Sequence, residues 1–248
     1  MLGGVDHPAE RTEGRRTGAP PHVLLVHGAA TTGAVWDGVV AELRRRAPEL
    51  RVSVPERDCT GELALETAAL TPYAENAVVV GVSGGATLGM ALVAAGVPVA
   101  GAVLHEPAAG ALVPGLLAHV AEGYARDGVP GFGAALYGPA WTTALAPADE
   151  GRVARDFAMF RAFEPIPLPS GIRAGRPPVL GSLGGLSPGP RRRAAEALEA
   201  SIGLPFMVLA DVGHAVHLER PDLLADAVLR VVARARGAAA AGPGPDRA

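Results

Sequence analysis

Lysine is absent from all 248 positions, so the basic side chains other than histidine are all arginine. This excludes Schiff-base catalysis and the phosphate-binding lysine of a P-loop. Cysteine occurs once, at Cys59, which excludes an intrachain disulfide and any metal site built from several thiolates. Long apolar runs are missing too: none approaches the ~20 residues that a membrane-spanning helix needs. Residues 1–20 are polar and broken by glycine and proline, without the apolar stretch of a secretory signal. A cytoplasmic location is expected. Charge of either sign is scarce in excess: the net value is -3, and no global field favours nucleic acid or an anionic membrane.

What is present suits one soluble domain. Hydrophobic residues make up 49% and charged residues 19% of a chain long enough to bury a sizeable core. Short apolar runs at residues 23–26, 52–54, 77–82, 99–104, 179–183 and 206–210 are bounded by turn signals and read as buried parallel strands. Between them, residues 36–46, 86–95, 190–202 and 221–235 have helical character. Trp36, Val39, Val40 and Leu43, for example, share one helix face. This alternation predicts an α/β fold with a doubly wound, mostly parallel sheet. Its core is expected at 21–106 and 178–236, between a flexible leader at 1–20 and a flexible tail at 237–248. Residues 107–177 break the rhythm and are expected to form a small helical cap insertion. Its helices are expected near 112–126 and 148–163, joined by the Gly/Pro/aromatic stretch VPGFGAALYGPAW.

The strongest chemical signal is Gly81-Val82-Ser83-Gly84-Gly85, which follows an apolar strand and precedes a helix. A sharp strand-to-helix turn would present Ser83 at a helix N-terminus, where developing negative charge is favoured. A serine hydroxyl needs an imidazole to accept its proton. Gly213-His214-Ala215-Val216-His217 follows the last strand, and His214 is preferred over His217 because Gly213 leaves it free to turn toward the serine. After the first strand, His27-Gly28-Ala29 offers a loop without bulky side chains. The amides of Ala29 and Gly84 are the candidate oxyanion donors, and His27 is read as a brace for that loop.

The strand–HG loop, the GVSGG turn and GHAVHLERPD together resemble the α/β-hydrolase superfamily over about residues 22–232. Trp36 resembles the aromatic residue that commonly opens its first helix. The resemblance implies a serine–histidine–acid triad, an oxyanion hole at Ala29 and Gly84, and neither cofactor nor metal. The pattern departs at the acid. Its usual place, the turn after residues 179–183, reads Gly184-Gly185-Leu186-Ser187-Pro188-Gly189 and holds no carboxylate. Glu106 is the substitute, at the end of the strand that follows the nucleophile helix, where some family members carry their acid. Two other readings stay open: Glu106 anchors the cap or pairs with an arginine, or no acid exists. Asp211 lies too close in sequence to His214 to serve.

The expected function is a serine hydrolase acting on a carboxylic ester, lactone or thioester through an acyl-enzyme on Ser83. A lyase or cyclase of the same fold, and a binding protein with a degenerate triad, are the alternatives. The partner is a small acyl substrate, with no nucleic acid or membrane, and a homodimer is left open. Trp36, Phe132, Tyr137, Trp141 and Phe160 are the candidate substrate-binding residues; equally, the cap aromatics could simply glue the cap to the core.

Overall fold

The computed structural model describes residues 21–240. Six strands form one sheet in the order β2-β1-β3-β4-β5-β6, with every pairing parallel. They are β1 (His22–Val26), β2 (Arg51–Ser53), β3 (Ala77–Val82), β4 (Gly101–His105), β5 (Val179–Gly184) and β6 (Phe206–Leu209). Strands β1, β3 and β4 are buried at every residue, as expected of continuous apolar runs covered on both faces. Side chains alternate between those faces. Leu24 and Val26 join the core beneath α2 (Leu63–Ala74), α3 (Gly84–Ala94) and α6 (Gly189–Ile202). Val23 and Leu25 join the core beneath α1 (Asp37–Arg46) and α8 (Pro221–Ala240). Each fully buried Leu or Val contributes about 2 kcal/mol by leaving water. Because all strands run the same way, their carboxyl ends share one edge of the sheet, where ligands of such folds collect.

The chain between β4 and β5 contributes two long helices, α4 (Ala118–Tyr137) and α5 (Glu150–Ala162). The expected linking stretch is instead mostly helix, because α4 continues past a kink at Asp127 and Gly128. Gly128 takes φ +61° and ends the first segment. Pro130 then falls in the first turn of the second, where a missing N–H costs nothing. Tyr124, Phe132 and Phe157 meet edge-on, with ring centroids 5.1 to 6.3 Å apart, and form the interior of this region.

Two other expectations shift. The tail was expected from residue 237, but α8 runs through Ala240; the expected leader and residues 241–248 lie outside the described residues. Helix α2 has no counterpart in the sequence reading. Its apolar residues form no stripe, its buried side includes Glu66, and Pro72 sits in its last turn. Among the described residues, no helix is long and apolar enough to cross a membrane.

Candidate active site

Ser83 stands between β3 and α3 with φ +55° and ψ -122°, a backbone that L-residues rarely adopt. Its amide donates to the His105 carbonyl at 2.9 Å, and its carbonyl accepts from the Thr87 amide at 3.0 Å, so the turn is held from both sides. The flanking glycines are required by close approach. A Cβ on Gly85 would lie 1.9 Å from the Val26 carbonyl oxygen, and one on Gly81 would lie 2.3 Å from the Gly85 backbone. Helix α3 is buried over nearly its whole length, so its N-terminus is fixed behind Ser83.

Strand pairing sets Val82 opposite His105, so Ser83 and Glu106 are the residues that follow a matched pair. Glu106 also has positive φ, +44°. Its Oε2 accepts the Nδ1–H of His214 at 2.7 Å. Its Oε1 accepts the Gly184 amide at 2.9 Å and the Ser187 hydroxyl. Arg191 Nε lies 3.6 Å from Oε2. The turn that lacks a carboxylate thus donates to the one supplied by the neighbouring strand. Burial opposes ionisation of Glu106. The hydrogen bond and charge of His214, then His105 and Arg191, nevertheless hold its carboxyl well below the usual carboxylate range.

With Nδ1 committed to Glu106, the neutral His214 ring has its lone pair on Nε2. That atom is buried and has no hydrogen-bond partner among the described residues. Burial, then the Arg191 charge, push the His214 pKa down to about 4 despite the raising effect of Glu106. His105 braces the same corner: its Nε2–H donates to the Gly213 carbonyl at 3.2 Å, and its Nδ1 accepts from the Ser182 hydroxyl at 3.0 Å. His105, Glu106 and His214 are also the one group among the described residues whose ligand atoms, within 4.8 Å of one another, could suit a metal. Their facing atoms are already taken up by these hydrogen bonds.

The β1–α1 loop closes on the same point. A Cβ on Gly28 would sit 3.4 Å from the Gly84 amide nitrogen and 2.9 Å from the Tyr137 hydroxyl. Tyr137 donates to the Ala29 carbonyl at 2.9 Å and stacks on His214, with ring centroids 5.7 Å apart. Trp141 Nε1 donates to the Ala30 carbonyl at 2.9 Å. Phe160 lies so near Gly84 that a Cβ there would be 2.3 Å from its ring. It also lines a surface pocket of about 230 Å³ with Leu116, Leu117 and Arg161. Neither the Ala29 nor the Gly84 amide donates to another group among the described residues.

Glu106 and His214 are thus joined directly, and Tyr137, Trp141 and Phe160 gather on the Gly28–Ala30 loop and on Gly84 beside Ser83, while no hydrogen bond joins Ser83 to His214 among the described residues. Two expected contact residues do not join them. Trp36 is fully buried in the core beneath α1 and α8, its ring 5.3 Å from that of His217, and Phe132 is locked inside the α4–α5 region. His217 is buried in the short helix α7 (Val216–Glu219), with its Nδ1 unpartnered. Sequence reasoning missed Arg191, which looks like part of the solvated Arg191-Arg192-Arg193 run. Only Arg191 of the three is buried, at the first turn of α6. His27 braces its loop as expected: Nε2 accepts the Arg57 amide at 3.2 Å, and burial, then the Arg57 charge, lower its pKa to about 3.

A solved lipase-esterase related protein from Clostridium acetobutylicum superposes with TM-score 0.67 at 10% identity, covering 86% of this chain and 95% of its own. The enol-lactonase from Burkholderia xenovorans gives TM-score 0.61 at 20% identity, covering 89% and 94%. A thermophilic esterase from Thermogutta terrifontis gives TM-score 0.61 at 22% identity, covering 88% and 92%. At such identities these likenesses speak for the fold alone. No curated protein matches the chain in sequence. The model of the alpha/beta hydrolase family matches residues 23–227. The chain belongs to that family.

Proposed function

We propose that the protein is a serine hydrolase that cleaves a carboxylic ester, lactone or thioester through an acyl-enzyme on Ser83. The observation that carries this reading is the 2.7 Å contact between Glu106 and His214 Nδ1, which leaves Nε2 as a buried, unpartnered base. His214 takes the Ser83 proton as Oγ attacks the acyl carbon, and Glu106 stabilises the imidazolium that forms. The amides of Ala29 and Gly84 hold the tetrahedral oxyanion. Collapse expels the alcohol or thiol, which leaves with the proton from His214; a lactone keeps its alcohol on the acyl chain. Water deprotonated by His214 then attacks the ester, releasing the acid and regenerating Ser83. Family membership supports the hydrolase class, and the departure of the acid from its usual turn no longer favours a degenerate triad.

Labelling with a fluorophosphonate, followed by mass spectrometry, tests the reading. A stoichiometric adduct on Ser83, lost in His214→Ala, is the expected result. Folded protein that stays unlabelled, and turns over no activated ester, would sink it. The pH profile gives a second test. A base must be neutral to accept a proton, so activity should fall as pH drops through the His214 pKa. With that pKa pushed down to about 4, the acid limb of kcat/KM is expected well below the ordinary histidine value of 6.5. An acid limb at or above 6.5 would contradict the assignment of His214 in this buried environment.

A further inference from the structure

Arg57 lies in the loop after β2 and is buried together with Glu66 of α2 and Asp156 of α5. Its Nη1 donates to Glu66 at 2.9 Å, its Nη2 to Asp156 at 2.5 Å. A buried ion cluster of this kind is a poor source of net stability, because desolvation offsets most of the attraction. The remaining donors of this guanidinium go elsewhere. Nε donates to the His27 carbonyl at 3.1 Å and Nη2 reaches the Gly28 carbonyl at 3.4 Å, where the Thr31 hydroxyl at 2.9 Å and the His27 Nδ1–H at 3.2 Å also donate.

The Gly28 carbonyl and the Ala29 amide share one planar trans peptide, so they point in opposite directions. Holding the oxygen toward Arg57, Thr31 and His27 aims the Ala29 N–H the other way. A cation on the oxygen also polarises the peptide and strengthens its N–H as a donor. We propose that Arg57 is a positioning residue for the oxyanion hole, orienting the Gly28–Ala29 peptide. Asp156 makes that orientation depend on the seating of α5. The proposal rests on the reading of Ala29 as an oxyanion donor.

The test compares wild type with Arg57→Met, Arg57→Lys and Asp156→Asn, using a p-nitrophenyl ester and an alkyl boronic acid that becomes tetrahedral on Ser83. Thermal melts check folding. In Arg57→Met, kcat is expected to fall by ~10² with KM within about twofold, since one misaligned oxyanion donor costs that order in rate. Boronate affinity should weaken in parallel, which a purely structural role would not require. Arg57→Lys keeps the charge but cannot reach both carboxylates and both carbonyls, so it should fall between. If Arg57→Met fails to fold, Asp156→Asn decides, with an expected ~10-fold loss in kcat and boronate affinity together. Folded variants that keep wild-type kcat and boronate affinity overturn the proposal and leave the hydrolase reading standing. A wild-type protein that neither turns over esters nor takes a fluorophosphonate overturns both.

Discussion

Ser83→Ala is expected to lower kcat on an activated ester by about 10⁶, the order seen when a triad nucleophile is removed. The reasoning is local. Ser83 carries the one hydroxyl of the Gly81–Gly85 turn, and a Cβ on Gly28, the residue before Ala29, would lie 3.4 Å from the Gly84 amide nitrogen beside it. The loss should be chemical rather than structural. Alanine adopts φ +55° no more easily than serine, and the turn is held by backbone bonds to His105 and Thr87 that the substitution leaves intact. Steady-state kinetics beside a thermal melt would check this. A folded Ser83→Ala protein within tenfold of wild type would place the nucleophile elsewhere. His214→Ala should cost a similar factor, and the double variant little more, because the two act as one unit.

Glu106→Gln is expected to lower kcat by ~10³ or more, as removal of a triad carboxylate does. The cause is a tautomer. The Gly184 amide and the Ser187 hydroxyl would keep the glutamine carbonyl oxygen, leaving the NH₂ group to face His214 Nδ1. A donor there demands a lone pair on Nδ1 and moves the imidazole proton to Nε2. Such a ring cannot accept the Ser83 proton. Arg191 would also lose its buried counter-charge, so a lower melting temperature should accompany the kinetic loss. Turnover close to wild type in a folded Glu106→Gln protein would remove Glu106 from the mechanism.

The features legible in the sequence are those carried by neighbours along the chain. All six apolar runs became strands, displaced by no more than two residues at either end. The GVSGG turn and the GHAVH loop announced Ser83 and His214 because a strand precedes each. Glu106 was legible as a neighbour of Ser83 because it directly follows β4, the strand paired with the one that leads to Ser83. What the sequence hid is long-range or unstriped. Helix α2 buries Leu70 and Ala74 without an amphipathic period, and the second half of α4 is disguised by Gly128, Pro130 and Gly131. Arg57 looks like a loop charge until α5 brings Asp156, 99 residues away, against it. Arg191 is hidden within an arginine run of which only one member faces inward.

The carboxylate supplied from the end of β4 changes what heredity can do to the turn after β5. A segment that must place an acid is bound to one length and one side chain. Here it has only to offer an amide from Gly184 and a hydroxyl from Ser187 to an acid anchored elsewhere. Small residues can therefore fill it without displacing the charge opposite His214. Ser83 and Glu106 meanwhile are held side by side by the register that sets Val82 against His105.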